Sequence, residues 1–426
     1  MSKSKFSKFG LLLTLLVVVV LAAPSAIAQG PEYITYNSMH GDPIPRAFDQ
    51  ETVAMWNEAN PLMPVEHSII AHEDFKQAIR AYLTAEPAPD VLTWFAGERA
   101  RFFIDKGLIA DISDVFEEKG FNEAYAPGFV ALASVEGKQY FLPTSYYWWA
   151  VYYVPSVFEK AGITQVPQTW DEFLGACDTL NAAGITPITI GTRYPWTAAA
   201  WFDYLNMRIN GPEFHINLML LKESYTDERV KAVFEYWQQL FDHNCFIEDA
   251  AAYAWQEALT PMTEGTAAMY LMGQFILDSY PDELEEDLDF FRFPIIDPAV
   301  PVGEDAPTDG YFMAAGARNL EGGKEFLAFI GSQEMQQKAF DELGRLPTRV
   351  DVDVSGASPA TQKGIALIQE ADYVAQFYDR DTTAPMAEAG LNAFSLFWSD
   401  PSSIDQILED LEAERLRILE EEAAAQ

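Results

Sequence analysis

Cations are scarce in this chain of 426 residues: 27 Lys and Arg stand against 65 Asp and Glu, a formal charge of −38. Such a polyanion offers no basic patch to nucleic-acid phosphates, and anionic lipid headgroups would repel it. The charge favours solubility and says nothing about fold. Cysteine is nearly absent, with only Cys177 and Cys245. In an oxidising compartment the two can pair; otherwise they are separate buried thiols. The five histidines are scattered, and His67 and His72 lack a matching third ligand nearby. A GxSxG elbow, a P-loop, a GxGxxG after a strand and an HExxH motif are all missing. Among 65 carboxylates, acidic pairs arise by chance, so no pair is read as general acid and base. These absences point to a binder without catalytic residues, cofactor or metal.

Long apolar runs are missing except at the start. Leu11 to Ala23 is broken only by Thr14, follows Lys3, Lys5 and Lys8, and precedes Ala26-Ile27-Ala28. The run falls short of the roughly 20 residues that span a bilayer. It has the three parts of a secretory signal, with cleavage expected after Ala28 and a periplasmic or extracellular destination. Neither cysteine lies near that point, so no lipid anchor is expected. The remaining chain is too long for one core and predicts two domains or lobes.

The apolar periodicity is that of alternating strands and helices. Tyr33 to Tyr36, Val65 to Ile70 and Val91 to Phe95 read as strands. Phe75, Ala78, Ile79, Tyr82 and Leu83 share one face of a helix between the last two. Thr169 and Glu172 form a T-x-x-E capping box for a helix ending near Gly184. Thr266 to Leu271 and Tyr311 to Ala315 are further strand candidates, and Ile404, Ile407, Leu408 and Leu411 mark a final helix behind Ser403. This alternation predicts an α/β fold with parallel strands.

Aromatics reach 14%, and three segments set them beside polar groups in expected loops. TWFAGER carries Trp94, Phe95, Glu98 and Arg99 at the carboxyl end of a strand, where open α/β sheets bind ligands. PTSYYWWAVYYVP carries Tyr146, Tyr147, Trp148 and Trp149, and RYPWTAAAWFDY carries Trp196. Rings can cover the C–H faces of sugars while carboxylates, amides and Arg take the hydroxyls. Core packing is the competing reading. It is favoured for Tyr152 and Tyr153 on an alternating strand, whereas Trp94 and Trp196, beside turn-forming or polar residues, are read as site residues.

These segments, with EGTAAMYLMGQF and KEFLAFIGSQEMQQKAFDELGRLPTR in the same order and spacing, carry a family resemblance. The chain resembles the carbohydrate-binding members of the extracellular solute-binding proteins of bacterial ABC importers, the group that includes maltose-binding protein. The resemblance implies a two-lobed periplasmic-binding-protein fold of type II, each lobe a central sheet flanked by helices, with sugar clamped in the cleft and passed to membrane permease subunits. It implies a monomer, with residues 29–143 plus about 276–330 in the N-terminal lobe and 144–275 plus about 331–426 in the C-terminal lobe. Trp94 and Trp196 match family cleft aromatics. Gly97-Glu98 stands where maltose-binding protein has an Asp-Arg pair, and Phe275 replaces a tryptophan in the turn Gly273-Gln274-Phe275. His40 and Asp42 fall in the first loop, where the family places polar contacts; Asp309, Tyr311 and Arg345 lie in segments that border the cleft. Tyr146, Trp148 and Gln274 complete the expected ligand set. The resemblance also implies a Cys177–Cys245 disulfide within the second lobe. A polyamine or metal chelate in the same fold, or a secreted glycoside hydrolase, are the alternatives.

Overall fold

The computed structural model describes residues 33–425, so the expected signal segment lies outside the described residues. Two sheets divide the chain. The first contains six strands in the order Leu346–Pro347, Leu142–Tyr146, Thr308–Met313, Val91–Phe95, Ile34–Ser38 and Val65–Ile69. Its three N-terminal strands run parallel, as the alternation predicts. Thr308–Met313 enters antiparallel between Leu142–Tyr146 and Val91–Phe95. The second sheet contains four strands in the order Asp289–Phe291, Trp149–Tyr153, Ala267–Gly273 and Thr186–Ile188, and only its last pair is parallel. In the first sheet the antiparallel strand Thr308–Met313 is the segment that returns from the second lobe.

Helices form where the periodicity places them. His72–Leu83 buries Phe75, Ile79 and Leu83 at i, i+4 and i+8. At the start of Trp170–Ala182, Thr169 Oγ1 accepts from the Glu172 amide while the Glu172 carboxylate accepts from the Thr169 amide, the reciprocal pair of a capping box. Ile404–Ala425 buries Ile404, Ile407, Leu408 and Leu411; the Ser403 hydroxyl donates to the Asp400 carbonyl instead of capping the helix.

Each sheet sits in its own core. Residues 34–142 and 311–330 form one, and residues 147–293 with 346, 367 and 375–418 supply the other. The chain passes between sheets three times, and two passages differ from the expected boundaries. Asp289–Phe291 pairs with Trp149–Tyr153, so the segment after residue 276 stays with the second sheet and reaches the first only at Thr308. Leu346–Pro347 pairs with Leu142–Tyr146, so the stretch beyond residue 330 remains with the first sheet. Strand direction was not legible in the short apolar runs FFRF and RLPT, which carry no period of their own. In the second lobe, Cys177 and Cys245 are buried and form a disulfide, their Cα atoms 5.3 Å apart, in the usual range for a bridge.

Candidate functional site

Both lobes contribute to one large cavity with an empty volume of about 1450 Å³, including the part open to solvent. The second-lobe wall is aromatic. Trp149 begins the strand Trp149–Tyr153, Trp196 begins the helix Trp196–Met219, and Phe275 follows the end of Ala267–Gly273. The Phe275 ring folds back onto Gly273, where any Cβ would collide with it. Trp149 stacks on Phe377 at 4.7 Å and 19°. Trp196 stands edge-on to Trp149 at 6.2 Å, and Trp255 edge-on to Phe275 at 5.3 Å. The five rings thus brace one another at fixed angles.

The first-lobe wall is mostly polar. Asp309 and Tyr311 come from the strand Thr308–Met313, Arg99 from the helix Glu98–Ile104, Lys76 from His72–Leu83, and His40 and Asp42 from the loop after the first strand. Phe95 lies between two guanidinium groups, 4.4 Å from Arg380 and 5.1 Å from Arg99. Most of the charges are paired. Arg380 donates to Asp309 at 2.8 Å and to the Tyr147 hydroxyl at 3.0 Å. Arg99 pairs with Asp379, Arg345 with Asp278, and Lys76 with Glu73 at 3.1 Å. Among the lining residues, Lys76, Arg99, Arg345 and Arg380 balance Asp42, Asp278, Asp309 and Asp379. The cavity is close to neutral in a strongly acidic molecule.

Three of these pairs join the lobes. Phe377 and Tyr378 belong to the second core, so Arg99–Asp379 and Asp309–Arg380 cross the cleft, as does Arg345–Asp278. Gly97, at φ 76°, sits where a Cβ would strike the Arg380 carbonyl, and its bare backbone permits this approach.

Histidine behaviour is set by local contacts. Burial opposes charge on His40, but the Asp49 carboxylate, 3.0 Å from Nδ1, raises its pKa overall. Burial would raise the Asp49 carboxyl; His40 and the Ser38 hydroxyl reverse this and hold it low. Burial, with Lys76, Arg380 and Arg99 nearby, pushes His72 well below the usual imidazole value, so it lines the cavity as a neutral group. Burial lifts Asp42 above the ordinary carboxylate range, against the Gln256 amide that donates to it from 3.4 Å.

A family model for the bacterial extracellular solute-binding protein matches residues 41–337. The chain belongs to that family. Among solved structures it is similar to a bacterial solute receptor, AcbH, reported to prefer β-D-galactopyranose exclusively, with 29% identity, a TM-score of 0.85, and coverage of 91% of this chain and 99% of that one. A chitin oligosaccharide binding protein shares the fold at 20% identity and a TM-score of 0.81, covering 90% of this chain and 98% of that one. An uncharacterized ABC transporter extracellular-binding protein of Pyrococcus horikoshii is 23% identical over 303 residues, 70% of this chain and 67% of its own length. A probable sugar-binding periplasmic protein of Mesorhizobium japonicum is 24% identical over 275 residues, 62% of this chain and 64% of its own. No helix among the described residues of this solute-binding protein is long and apolar enough to cross a membrane.

Of the expected ligand residues, His40, Asp42, Trp196, Phe275, Asp309, Tyr311 and Arg345 line the cavity. Five do not. Trp94 is core, 2% exposed and packed against Phe75, Phe103 and Phe312. Trp148 is 0% exposed, tilted against Phe290 and covered by Gly364. Tyr146 packs on Phe129, away from the cavity. In each case the next residue faces the cleft: Phe95, Trp149 and Tyr147. Successive side chains in an extended segment point to opposite faces, so a parity error of one residue exchanges core for site. Glu98 opens its helix outside the cavity, where burial raises its carboxyl pKa. Gln274 is buried and supports Arg345, accepting from its guanidinium while donating to the Leu343 carbonyl at 3.3 Å. The segment carrying Phe377, Asp379 and Arg380 was missed. Its sequence, AQFYDRDTT, has no helical or strand period, and only tertiary folding brings it to the cleft.

Proposed function

We propose that this chain is the extracytoplasmic receptor for a neutral carbohydrate, which it clamps between two lobes and delivers to the permease subunits of an ABC importer. The observation that carries this reading is the opposition of a braced aromatic wall to a wall of charge-paired donors and acceptors. Rings suit the C–H faces of a pyranose, and oriented Arg and Asp groups suit its hydroxyls. The sugar specificities of similar receptors support the same class. A polyamine would need surplus carboxylates, and the lining charges balance instead. On this reading no bond is made or broken by the protein; Asp278, Asp309 and Asp379 are each engaged by an arginine, and the fourth lining carboxylate, Asp42, accepts from the Gln256 amide. The lobes are read as residues 33 to about 146 plus about 307–353, and about 147–306 plus about 354–425, following the strand pairings and the contacts of residues 348–353 with the first lobe. The protein acts as a monomer, exported with cleavage after Ala28 and without a lipid anchor. Closure shifts with occupancy, since a ligand touching both walls favours the closed form.

A thermal-shift panel of galactose, maltose, maltotriose and xylo- and chitin-oligosaccharides tests the reading, because a ligand confined to the folded state raises its melting temperature. At least one neutral sugar is expected to do so. A shift with spermidine or a metal chelate and with no sugar would overturn it.

A further inference from the structure

A contact at the mouth of the cavity joins a stacking ring of one lobe to an acid of the other. The Trp196 indole Nε1 donates to Glu73 Oε1 at 3.0 Å. The second carboxylate oxygen of Glu73 is held 3.1 Å from Lys76 Nζ, one turn further along the same helix. Both charged side chains are mostly withdrawn from water, Lys76 14% and Glu73 19% exposed. Glu73 lies on His72–Leu83 of the first lobe, and Trp196 is the first residue of Trp196–Met219 in the second. Neither belongs to a segment that passes between the sheets. In the Asp309–Arg380 pair, by contrast, Asp309 lies on the crossing strand Thr308–Met313 itself. The indole–carboxylate bond exists only when the lobes are together.

We propose that Glu73 is a positioning residue that latches the closed cleft: it fixes the Trp196 indole plane for the ligand and biases the lobes toward closure. Lys76 holds the carboxylate aimed through its second oxygen, and the acid adds no hydrogen bond to the second lobe except through the ring. The strength of a hydrogen bond to a charged group implies about a tenfold effect on the closed-to-open ratio. A ligand then binds a state that is already partly populated, and release requires the latch to break. The inference rests on the two-lobed reading and not on which solute is bound.

The test uses ligand-free protein. Spin labels at Leu62→Cys and Leu220→Cys, exposed positions on the first and second lobes, report the lobe separation as a distance distribution. Glu73→Ala is expected to lower the closed-to-open ratio about tenfold, and Trp196→Phe, which keeps a ring but removes the N–H, to do the same. Combining them should produce no further shift, and Glu73→Gln, which retains an acceptor, should restore part of the closed population. The proposal is overturned if Glu73→Ala leaves the wild-type distribution unchanged, or if the two single effects multiply in the double variant. Absence of sugar binding in the panel would contradict the carbohydrate reading and leave this readout intact.

Discussion

On the second-lobe side of the cleft, five rings lean on one another and on a large apolar core; on the first-lobe side, polar side chains come from four separate segments, and Arg99 and Asp309 among them pair with charges that reach across from the second lobe. The rings are rigid because each is a packing partner of the next, as in Trp149 against Phe377 and Trp255 against Phe275. The polar groups are held because most of their charges are paired, as in Arg380 held by Asp309 and the Tyr147 hydroxyl. One wall is ordered by dispersion and the other by electrostatics, and both reach the ligand pre-organised, which limits the entropy lost on binding. The contrast extends outward: the surface is strongly anionic, whereas the cavity lining is balanced.

The comparison breaks most severely if a core ring is mistaken for a wall ring. Trp94→Ala and Trp237→Ala each remove a buried indole, one per lobe, and are expected to cost about 3–5 kcal/mol of stability. Denaturant titration should register that loss, while calorimetry on the folded fraction finds affinity unchanged. Phe95→Ala should lower stability too, since that ring is also buried, but should in addition weaken affinity in the folded fraction, because Phe95 lines the cavity and Trp94 does not. The neighbours Trp94 and Phe95 therefore form a matched pair on one strand.

The legible part of the molecule explains this pairing. The helix His72–Leu83 and the box Thr169–Glu172 announce themselves through periodicity and capping chemistry, and the ordered segments suffice for the family. The cavity side of Val91–Phe95 does not, because all five residues are buried and the strand shows no inside–outside alternation. Tyr146–Trp149, half-buried at Tyr146 and buried after it, shows no inside–outside alternation either, so the sequence reading falls one residue early in both segments. Trp196 and Phe275 follow turns, where no strand parity has to be guessed, and both line the cavity. Arg380 and Asp379 were hidden for a different reason: their partners Asp309 and Arg99 lie 71 and 280 residues away in sequence.

Reduction of Cys177–Cys245 tests the second lobe alone, since the bridge closes a loop of 68 residues within it. In the chain-entropy view it stabilises by roughly 4 kcal/mol. Reduced protein should unfold at lower denaturant, and intact unreduced protein should show no free thiol on titration after denaturation. Two thiols per chain in that titration would refute the bridge.

Trp196→Ala sharpens the contrast from the aromatic side. Loss of a desolvated ring anchor costs about 2 kcal/mol of binding, roughly thirtyfold in affinity, whereas the half-buried ring contributes less to the fold. Calorimetric titration paired with thermal melts separates the two effects.

A smaller, pH-dependent effect is expected behind the aromatic wall. Asp305 is fully buried and neither carboxylate oxygen has a hydrogen-bond partner. Burial, then the Asp381 and Glu304 charges, raise its pKa well above the ordinary value, against Arg208 and Arg380; Asp203, Tyr204 and Tyr373 also face it. The folded state therefore keeps a proton that the unfolded chain has released, and stability falls as pH rises from the ordinary carboxylate range through the raised pKa. Asp305→Asn removes that slope. The melting temperature of the variant relative to wild type should climb between about pH 5 and pH 8, and a constant difference would show that Asp305 does not hold its proton.

The most direct measurement of the neutral-sugar claim is calorimetric titration of the best neutral sugar from the panel beside its uronic-acid and amino-sugar counterparts, which keep the ring and change only the charge. Aromatic stacking over a charge-balanced polar wall requires the neutral sugar to bind most tightly and both charged analogues to bind more weakly. Tighter binding of either charged analogue would contradict the claim.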